Sequence, residues 1–236
     1  MNRTRYIPLL LVPLGIAALL AWNNVPDEPG DKEQAAAARL METAAPDLEV
    51  TAPPKAFADQ IALVRAVQRA VLDAAPVDDG IPLGQARELS DLMKRGKGLC
   101  YDRSRAIETV LNHYGMRTRH VSIFSTRESG STLEALATPR IPSHAVSEVL
   151  TEKGWMAIDS NRPWIGLTAD GRAIGVADLQ SDARKEWAQE VEADVNPIFR
   201  RPFTFVYGLY SRHGRFYPPY LPIPDINWRQ FLYNLE

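Results

Sequence analysis

Apolar residues in the first half of the chain recur three or four residues apart, which is the spacing of an amphipathic helix. Phe57, Ile61, Val64 and Val71 follow this spacing. The pattern predicts helices over residues 55–74, 83–95 and 100–113. Gly115 lies just beyond the last of them and provides its C-terminal cap.

After Gly115 the pattern changes to the alternation of apolar and polar residues that is typical of strands. It predicts strands over residues 119–124, 144–150 and 155–159. The last two are joined as a hairpin through Thr151-Glu152-Lys153-Gly154. Helices followed by antiparallel strands predict an α+β domain, with a helical N-terminal half packed on the sheet.

The C-terminal third is less regular. We predict a helix over residues 178–193, an extended segment over residues 203–210 and a short helix within residues 226–235. Aromatic residues are dense here. Tyr207, Tyr210, Phe216, Tyr217, Tyr220, Trp228, Phe231 and Tyr233 either pack across the domain or form a surface for a sugar or a partner.

The N-terminus has the pattern of a membrane anchor. Arg3 and Arg5 precede an uncharged stretch over residues 6–22, close to the lower limit of about 17 residues for a membrane-spanning helix. The arginines favour the cytoplasmic side, so we expect an inner-membrane anchor with the domain in the periplasm or outside the cell. The small residues Ala17, Ala18 and Ala21 leave a cleaved signal peptide as the alternative.

Prolines and Gly30 interrupt residues 23–54 around an alanine-rich stretch, which predicts a linker with at most one short helix. We therefore divide the chain into an anchor or signal peptide, a linker and one domain, over residues 1–22, 23–54 and 55–236. The chain of 236 residues has 45% hydrophobic residues, enough for one sizeable core. The net charge of the chain is -2, so its overall charge gives no reason to predict binding to nucleic acid.

Cys100 is the only cysteine, so it cannot form an internal disulfide. It begins the predicted helix over residues 100–113, where unpaired N–H groups and the helix dipole favour a thiolate. The alternative is a small, buried apolar residue. Arg103 and Arg105 follow it. They either support the thiolate or lie on the exposed face of the helix, and we expect the exposed face.

A cysteine nucleophile needs a base, and the chain has four histidines. His113 is thirteen residues further along the same helix, about 20 Å away. His120 begins a strand, and His213 lies in a loop rich in arginine. His144 remains as the candidate.

Asp159 is the candidate partner of His144 because both lie at the same end of the predicted hairpin. A turn at Thr151-Glu152 would place them directly opposite each other, while Gly154 suggests a turn slightly further along. An aspartate that binds one imidazole nitrogen leaves the other free to face a thiolate. A zinc site is the other use of Cys, His and Asp, but three scattered ligands do not fit one. We expect neither a metal nor a cofactor.

Several short motifs occur together in the order, spacing and secondary structure of the transglutaminase-like superfamily. They are Gly98-x-Cys100 at a helix start, Gly115-Met116-Arg117-Thr118-Arg119-His120-Val121, His144-Ala145-Val146-Ser147-Glu148-Val149 and Gly154-Trp155-x-x-x-Asp159. The chain resembles this family of papain-like cysteine enzymes over residues 55–165. The resemblance implies that Cys100 is the nucleophile, His144 the general base and acid, and Asp159 the orienting acid.

The chain departs from the family at Val146, where an aromatic residue is frequent, and at Ser160, where a proline is frequent. These departures concern substrate preference more than the three implied catalytic residues. The backbone N–H of Cys100 is the natural oxyanion donor because it lies at a helix N-terminus.

The resemblance implies acyl transfer through a thioester on a protein, a peptide or an envelope polymer that contains amides. The acceptor decides whether the enzyme is a transglutaminase, a deamidase or a peptidase. The alternative from another class is a non-catalytic binding or assembly module of an envelope or exopolysaccharide system that retains the fold.

Overall fold

Four strands form the main antiparallel sheet of the protein. The computed structural model describes residues 18, 23–50, 52–180 and 195–235. The strands are β1 Thr118–Ser125, β2 Ser143–Thr151, β3 Gly154–Ile158 and β4 Phe203–Tyr207. They lie in the order β3-β2-β1-β4, so the predicted hairpin of β2 and β3 is confirmed and β2 is an inner strand.

The larger helices precede the sheet in the chain and pack against one another and against it. They are α1 Asp31–Ala44, α2 Phe57–Ala74, α3 Leu89–Arg95 and α4 Cys100–His113. Helix α4 contacts the other three helices as well as β1 and β2. Its buried residues Ile107 and Val110 share one apolar core with Val149 of β2 and Met156 of β3. The predicted α+β class, with a helical layer on an antiparallel sheet, is confirmed.

The one helix allowed within the predicted linker over residues 23–54 is present as α1, but it packs into the domain core and does not belong to a linker. Ala36, Ala37, Leu40 and Met41 of this helix are buried in the core that also contains α4. The carboxylate of Glu33 accepts hydrogen bonds from the backbone N–H and hydroxyl of Ser90 in α3. The small alanines that suggested a flexible segment instead allow close approach to neighbouring helices.

Helix α3 is shorter than predicted because the segment before it turns instead of continuing as a helix. Gly84 has a φ of 79°, and the helix begins only at Leu89. The backbone N–H of Glu88 donates to Asp91 across this start at 3.2 Å. The turn leaves residues 76–88 free to pass over the beginning of α4.

Short elements complete the described chain. They are the helices α5 Thr132–Ala137, α6 Val176–Gln180 and α7 Trp228–Phe231, the 3-10 helices Pro197–Arg200 and Leu232–Leu235, and the strands β5 Leu209–Tyr210 and β6 Asp225–Ile226. The predicted extended segment over residues 203–210 divides at Gly208, whose φ is 71°. The predicted helix over residues 178–193 coincides with α6 at its beginning, and residues 181–194 lie outside the described residues.

Residues 23–25 lie beside the C-terminal segment of the chain. The N–H of Ile226 in β6 donates to the carbonyl of Asn23 at 2.8 Å, and the N–H of Val25 donates to the carbonyl of Ile226 at 3.1 Å. β6 pairs in turn with β5. The two ends of the described chain are thus joined by backbone hydrogen bonds.

The predicted anchor over residues 6–22 lies, except for Ala18, outside the described residues. Within the part of the chain that the structure describes, no helix has both the length and the apolarity needed to span a membrane.

Candidate active site

Cys100 is the first residue of α4 and is partly exposed. The segment before it is held by backbone pairing. Gly98 donates its N–H to the carbonyl of Pro76 at 3.0 Å and accepts from the N–H of Asp78 at 3.1 Å. A Cβ at Gly98 would lie 2.7 Å from Cδ1 of Leu92. Any larger residue would require the buried Leu92 side chain to shift, so Gly98 favours this close passage to the helix N-terminus, where backbone N–H groups are unpaired.

Asp102 ties the first turn of α4 to the segment that crosses it. Its Oδ2 accepts the backbone N–H groups of Leu99 at 3.1 Å and Ile81 at 3.0 Å, and Arg87 donates to Oδ1 at 3.3 Å. Burial raises the pKa of Asp102, while these N–H donors and the Arg87 charge oppose the rise. The carboxylate therefore serves the local fold and does not contact the imidazole of His144.

His144 and Asp159 are diagonal neighbours in the hairpin. The register of β2 and β3 runs from Thr151 opposite Gly154 to Ser147 opposite Ile158, so Glu152 and Lys153 form the turn. Of the two registers left open by the sequence, the turn slightly beyond Thr151-Glu152 is the one present, so His144 and Asp159 are not directly opposite each other. A shift of two positions keeps both side chains on one face of the sheet, and Nε2 of His144 lies 3.4 Å from Oδ1 of Asp159.

Ser160 holds this end of the hairpin together where the strand ladder has ended. Its hydroxyl is buried and donates to the carbonyl of Ala145, the neighbour of His144, at 2.6 Å. Proline, which is frequent at this position in the family, could not form this bond. The departure at Ser160 therefore has a local structural role beside the His144 and Asp159 pair.

The carboxylate of Asp159 is fully buried and shapes its own loop. Its Oδ1 accepts the backbone N–H groups of Asn161 at 2.6 Å and Arg162 at 3.1 Å. Gln68 of α2 approaches the same loop from the helical layer. Its Nε2 is directed at the carbonyls of Asp159, Arg162 and Trp164 at distances of 2.8, 3.0 and 2.7 Å. Helix α2 thus positions the loop that holds the carboxylate.

The environment of His144 favours its protonated form. Burial acts to lower its pKa, but the charge of Asp159 and hydrogen bonds to Asp159 and Cys100 outweigh burial and raise the pKa to about 10. Asp159 binds at Nε2, which leaves Nδ1 as the nitrogen available to the thiol. The three predicted residues therefore converge, and their arrangement suits a thiolate and imidazolium pair.

Asn196 is a further residue at this cluster, and it was not among the predicted site residues. Its Nδ2 lies 3.2 Å from Nε2 of His144, while its Oδ1 accepts the N–H of Ile198 at 3.1 Å. The sequence Asn196-Pro197 does have the pattern of a helix start, and Asn196 caps the 3-10 helix Pro197–Arg200. No local signal links this cap to a histidine 52 residues earlier.

The expectation that Arg103 and Arg105 lie on an exposed helix face is wrong. The exposed fraction of Arg103 is 1%, and it donates from Nη2 to Oδ1 of Asn161. Arg105 binds Glu88 through Nε at 3.0 Å and through Nη2. Because α4 is enclosed by the other helices and the sheet, even its polar positions are buried and need partners.

The other two candidate histidines pair with different carboxylates. His120 is fully buried and lies 2.8 Å from Oε1 of Glu108 and 3.2 Å from the hydroxyl of Ser104. His213 lies 2.6 Å from Oδ1 of Asp225. Among the described residues, no three His, Cys, Asp or Glu side chains form a group that could hold a metal ion.

Part of the aromatic C-terminal segment packs beside the thiol. Phe216 is buried, with its ring 6.1 Å from that of Tyr101 and 5.4 Å from that of Tyr217. Cys100 itself packs against the cluster that contains Phe216. The segment therefore forms one side of the surroundings of Cys100.

Comparison with known proteins finds one matching family. The model of the transglutaminase-like superfamily matches residues 49–160, which include Cys100, His144 and Asp159. A search of curated proteins gives no match.

Two solved structures show low similarity. One is a protein from Parabacteroides distasonis named a "putative protease", with 10% identity, a TM-score of 0.39, and coverage of 62% of this chain and 28% of that chain. The other is red sea bream transglutaminase, with 15% identity, a TM-score of 0.35, and coverage of 71% and 31%. The chain spans less than a third of either protein. Residues 49–160, just under half of the chain, match the transglutaminase-like superfamily.

Proposed function

We propose that the protein is a thiol acyl-transfer enzyme in which Cys100 is the nucleophile, His144 the general base and acid, and Asp159 the orienting carboxylate. One observation carries the proposal. His144 is buried between the Asp159 carboxylate and a thiol at a helix N-terminus, and its pKa is raised to about 10. Such a pair supplies a thiolate near neutral pH and a proton for a leaving group.

In the proposed reaction, the thiolate of Cys100 attacks the carbonyl carbon of an amide. The C–N bond breaks, the His144 imidazolium gives its proton to the departing nitrogen, and a thioester remains on Cys100. Water or a second amine then attacks the thioester, and His144 accepts a proton from it. The thiolate leaves, which restores the pair. The backbone N–H of Cys100 is the proposed donor to the oxyanion.

The substrate is proposed to be a protein, a peptide or another envelope polymer that contains amides. Arg3, Arg5 and the uncharged stretch over residues 6–22 support a location outside the cytoplasm. This location is tested in intact cells with a membrane-impermeant maleimide. Labelling of Cys100 before lysis is expected, and labelling only after lysis would contradict the location without affecting the proposed chemistry.

The chemistry is tested by the rate at which iodoacetamide alkylates native Cys100 at pH 6, measured by mass spectrometry of the intact protein. We expect alkylation to be at least tenfold faster than that of a free thiol, because an unperturbed thiol is almost entirely protonated at this pH. His144→Ala is expected to abolish the excess rate. His213→Ala, which removes a histidine paired with Asp225 instead, is the matched control.

Native Cys100 that reacts no faster than a free thiol, with no effect of His144→Ala, would refute the proposal. Full function of a Cys100→Ala variant in vivo would also refute it and would favour the non-catalytic binding or assembly module.

A further inference from the structure

Arg103 is a buried cation that has no carboxylate partner among the described residues. Its exposed fraction is 1%, and none of the ion pairs between described residues includes it, whereas Arg87 and Arg105 pair with Asp102 and Glu88. Its one hydrogen bond is to Oδ1 of Asn161, and its Nε is buried without a partner. Burying a guanidinium is costly unless other charges compensate.

The charges that compensate Arg103 are those of the proposed active site. Arg103 follows Cys100 by three positions in α4, so the two residues share one helix face. Burial lowers the pKa of Arg103, and the negative charges of Cys100, Asp159 and Asp102 act against this effect. Of these three groups, Asp102 already has the guanidinium of Arg87 as its partner.

A count of charges shows why a cation is needed here. In the reactive form, the thiolate of Cys100 and the carboxylate of Asp159 are negative and the imidazolium of His144 is positive. These three groups alone leave one uncompensated negative charge at a site where His144 and Asp159 are buried and Cys100 is partly exposed. Arg103 makes the sum zero, so Cys100 and Asp159 can be ionised together.

Arg103 also reaches Asp159 through one intermediate residue. The side chain of Asn161 accepts from Arg103, and the backbone N–H of Asn161 donates to Oδ1 of Asp159 at 2.6 Å. The guanidinium thus fixes, from α4, the loop that presents the carboxylate to His144.

On the basis of the function proposed above, we propose that Arg103 is a positioning residue that balances the charge of Cys100, His144 and Asp159 and holds Asn161 against the carboxylate. It does not contact the substrate, since it is buried. The other polar groups that face the cluster are Asp102 with Arg87, the Tyr101 hydroxyl, the amide of Asn196 and the carbonyls bound by Gln68. Among these and the three cluster residues, Arg103 is the cation without a carboxylate of its own.

The test is the pH dependence of Cys100 alkylation by iodoacetamide in the full chain. The wild-type rate is expected to show a lower inflection where the thiolate forms and an upper one where the imidazolium loses its proton. Arg103→Gln removes the charge but keeps N–H donors for Asn161. Without the cation the thiolate is less favoured and the imidazolium more favoured, so both inflections should move up by about one pH unit.

Two further variants distinguish the effect of the Arg103 charge from a purely structural effect of its side chain. Arg103→Lys keeps the charge and is expected to retain both wild-type inflections. Arg105→Met removes a cation from the same helix whose partner is Glu88, and it is also expected to leave both inflections in place. A purely structural role of Arg103 would instead lower the rate at every pH without moving either inflection.

The outcomes distinguish the two proposals. A wild-type Cys100 without enhanced reactivity that depends on His144 refutes the proposed function. A reactive wild type whose inflections do not move in Arg103→Gln refutes the role of Arg103 alone. If circular dichroism shows that Arg103→Gln is unfolded, Arg103→Lys decides: a folded variant with wild-type inflections supports the role of charge, and an unfolded variant or shifted inflections overturn it.

Discussion

Nδ2 of Asn196 lies 3.2 Å from Nε2 of His144, the same nitrogen that lies 3.4 Å from Oδ1 of Asp159. The two partners favour opposite protonation states. An amide nitrogen can only donate, so Asn196 stabilises an imidazole whose Nε2 carries a lone pair, whereas Asp159 stabilises a protonated Nε2. The orientation of the amide is fixed because its oxygen accepts from Ile198.

Replacing Asn196 is therefore expected to raise the pKa of His144 further. Asn196→Ala removes the donor that stabilises the neutral ring, and Asn196→Asp adds a negative charge and should produce the larger rise. The measurement is the NMR titration of the His144 ring, with the His213 resonance as an internal control. A fall in the His144 pKa in either variant would contradict this assignment of the amide.

The raised pKa of His144 also predicts a pH dependence of stability. The folded-state value of about 10 lies above the ordinary unfolded value of about 6.5, so the folded protein holds this proton more tightly. The resulting stabilisation is complete below about pH 6.5 and is lost as the pH rises through about 10. The free energies of unfolding of wild type and His144→Gln should therefore converge between these pH values. Urea titrations at pH 6, 8 and 10 test this, and a constant difference would contradict it.

Gln68→Leu should affect both stability and the thiol. The change removes the Gln68 donor from the buried carbonyl of Asp159, while the Trp164 carbonyl keeps the backbone N–H of Asp159 as a donor. The loss costs about 2 kcal/mol of unfolding free energy. It also frees the loop that holds the carboxylate, so Cys100 alkylation at pH 6 should slow. Gln60→Leu is the control, because Gln60 lies on the same helix but binds Pro54 and Glu152.

The control variant should be destabilised with no change in thiol reactivity. Equal effects of the two variants on alkylation would show that Gln68 acts only through general stability.

Two glycines with similar backbone angles provide a test of packing at the start of α4. Gly80 and Gly84 have φ values of 82° and 79°, so alanine at either costs about 1–2 kcal/mol for the left-handed conformation. At Gly80 the added Cβ would also lie 2.8 Å from the Tyr101 hydroxyl and 2.9 Å from Oδ2 of Asp102, whereas nothing lies within 4 Å at Gly84. Gly80→Ala should therefore lose about 1–3 kcal/mol more than Gly84→Ala in urea unfolding. Equal losses of unfolding free energy in the two variants would show that the Tyr101 and Asp102 side chains move away from the added Cβ without cost.

Local sequence patterns predicted the elements that carry the site. Helix α4 has the predicted bounds because glycines flank it on both sides, and the bounds of β1 to β3 lie within one residue of the prediction. The proximity of His144 and Asp159 could be predicted although the register stayed open, since a shift of two residues keeps a side chain on the same face of a strand.

The contacts of Asn196, Gln68 and Arg103 could not be predicted in the same way. Each joins residues more than 50 positions apart in the chain, and no periodic pattern specifies such a meeting. The packing of α1 against α4 was not predicted either, because an alanine-rich sequence suits a linker as well as a tightly packed helix.

The backbone hydrogen bonds between Ile226 and residues 23–25 determine how mechanical tension passes through the protein. A pull on the chain before Asn23 loads β6 directly, and from there it reaches Phe216, which packs on Tyr101 beside the thiol. The helical layer receives the load afterwards, at Asn112 of α4, which donates to the carbonyl of Asp27 at 2.9 Å, and then through α1. Tension at this end would therefore be felt first by the segment that flanks Cys100.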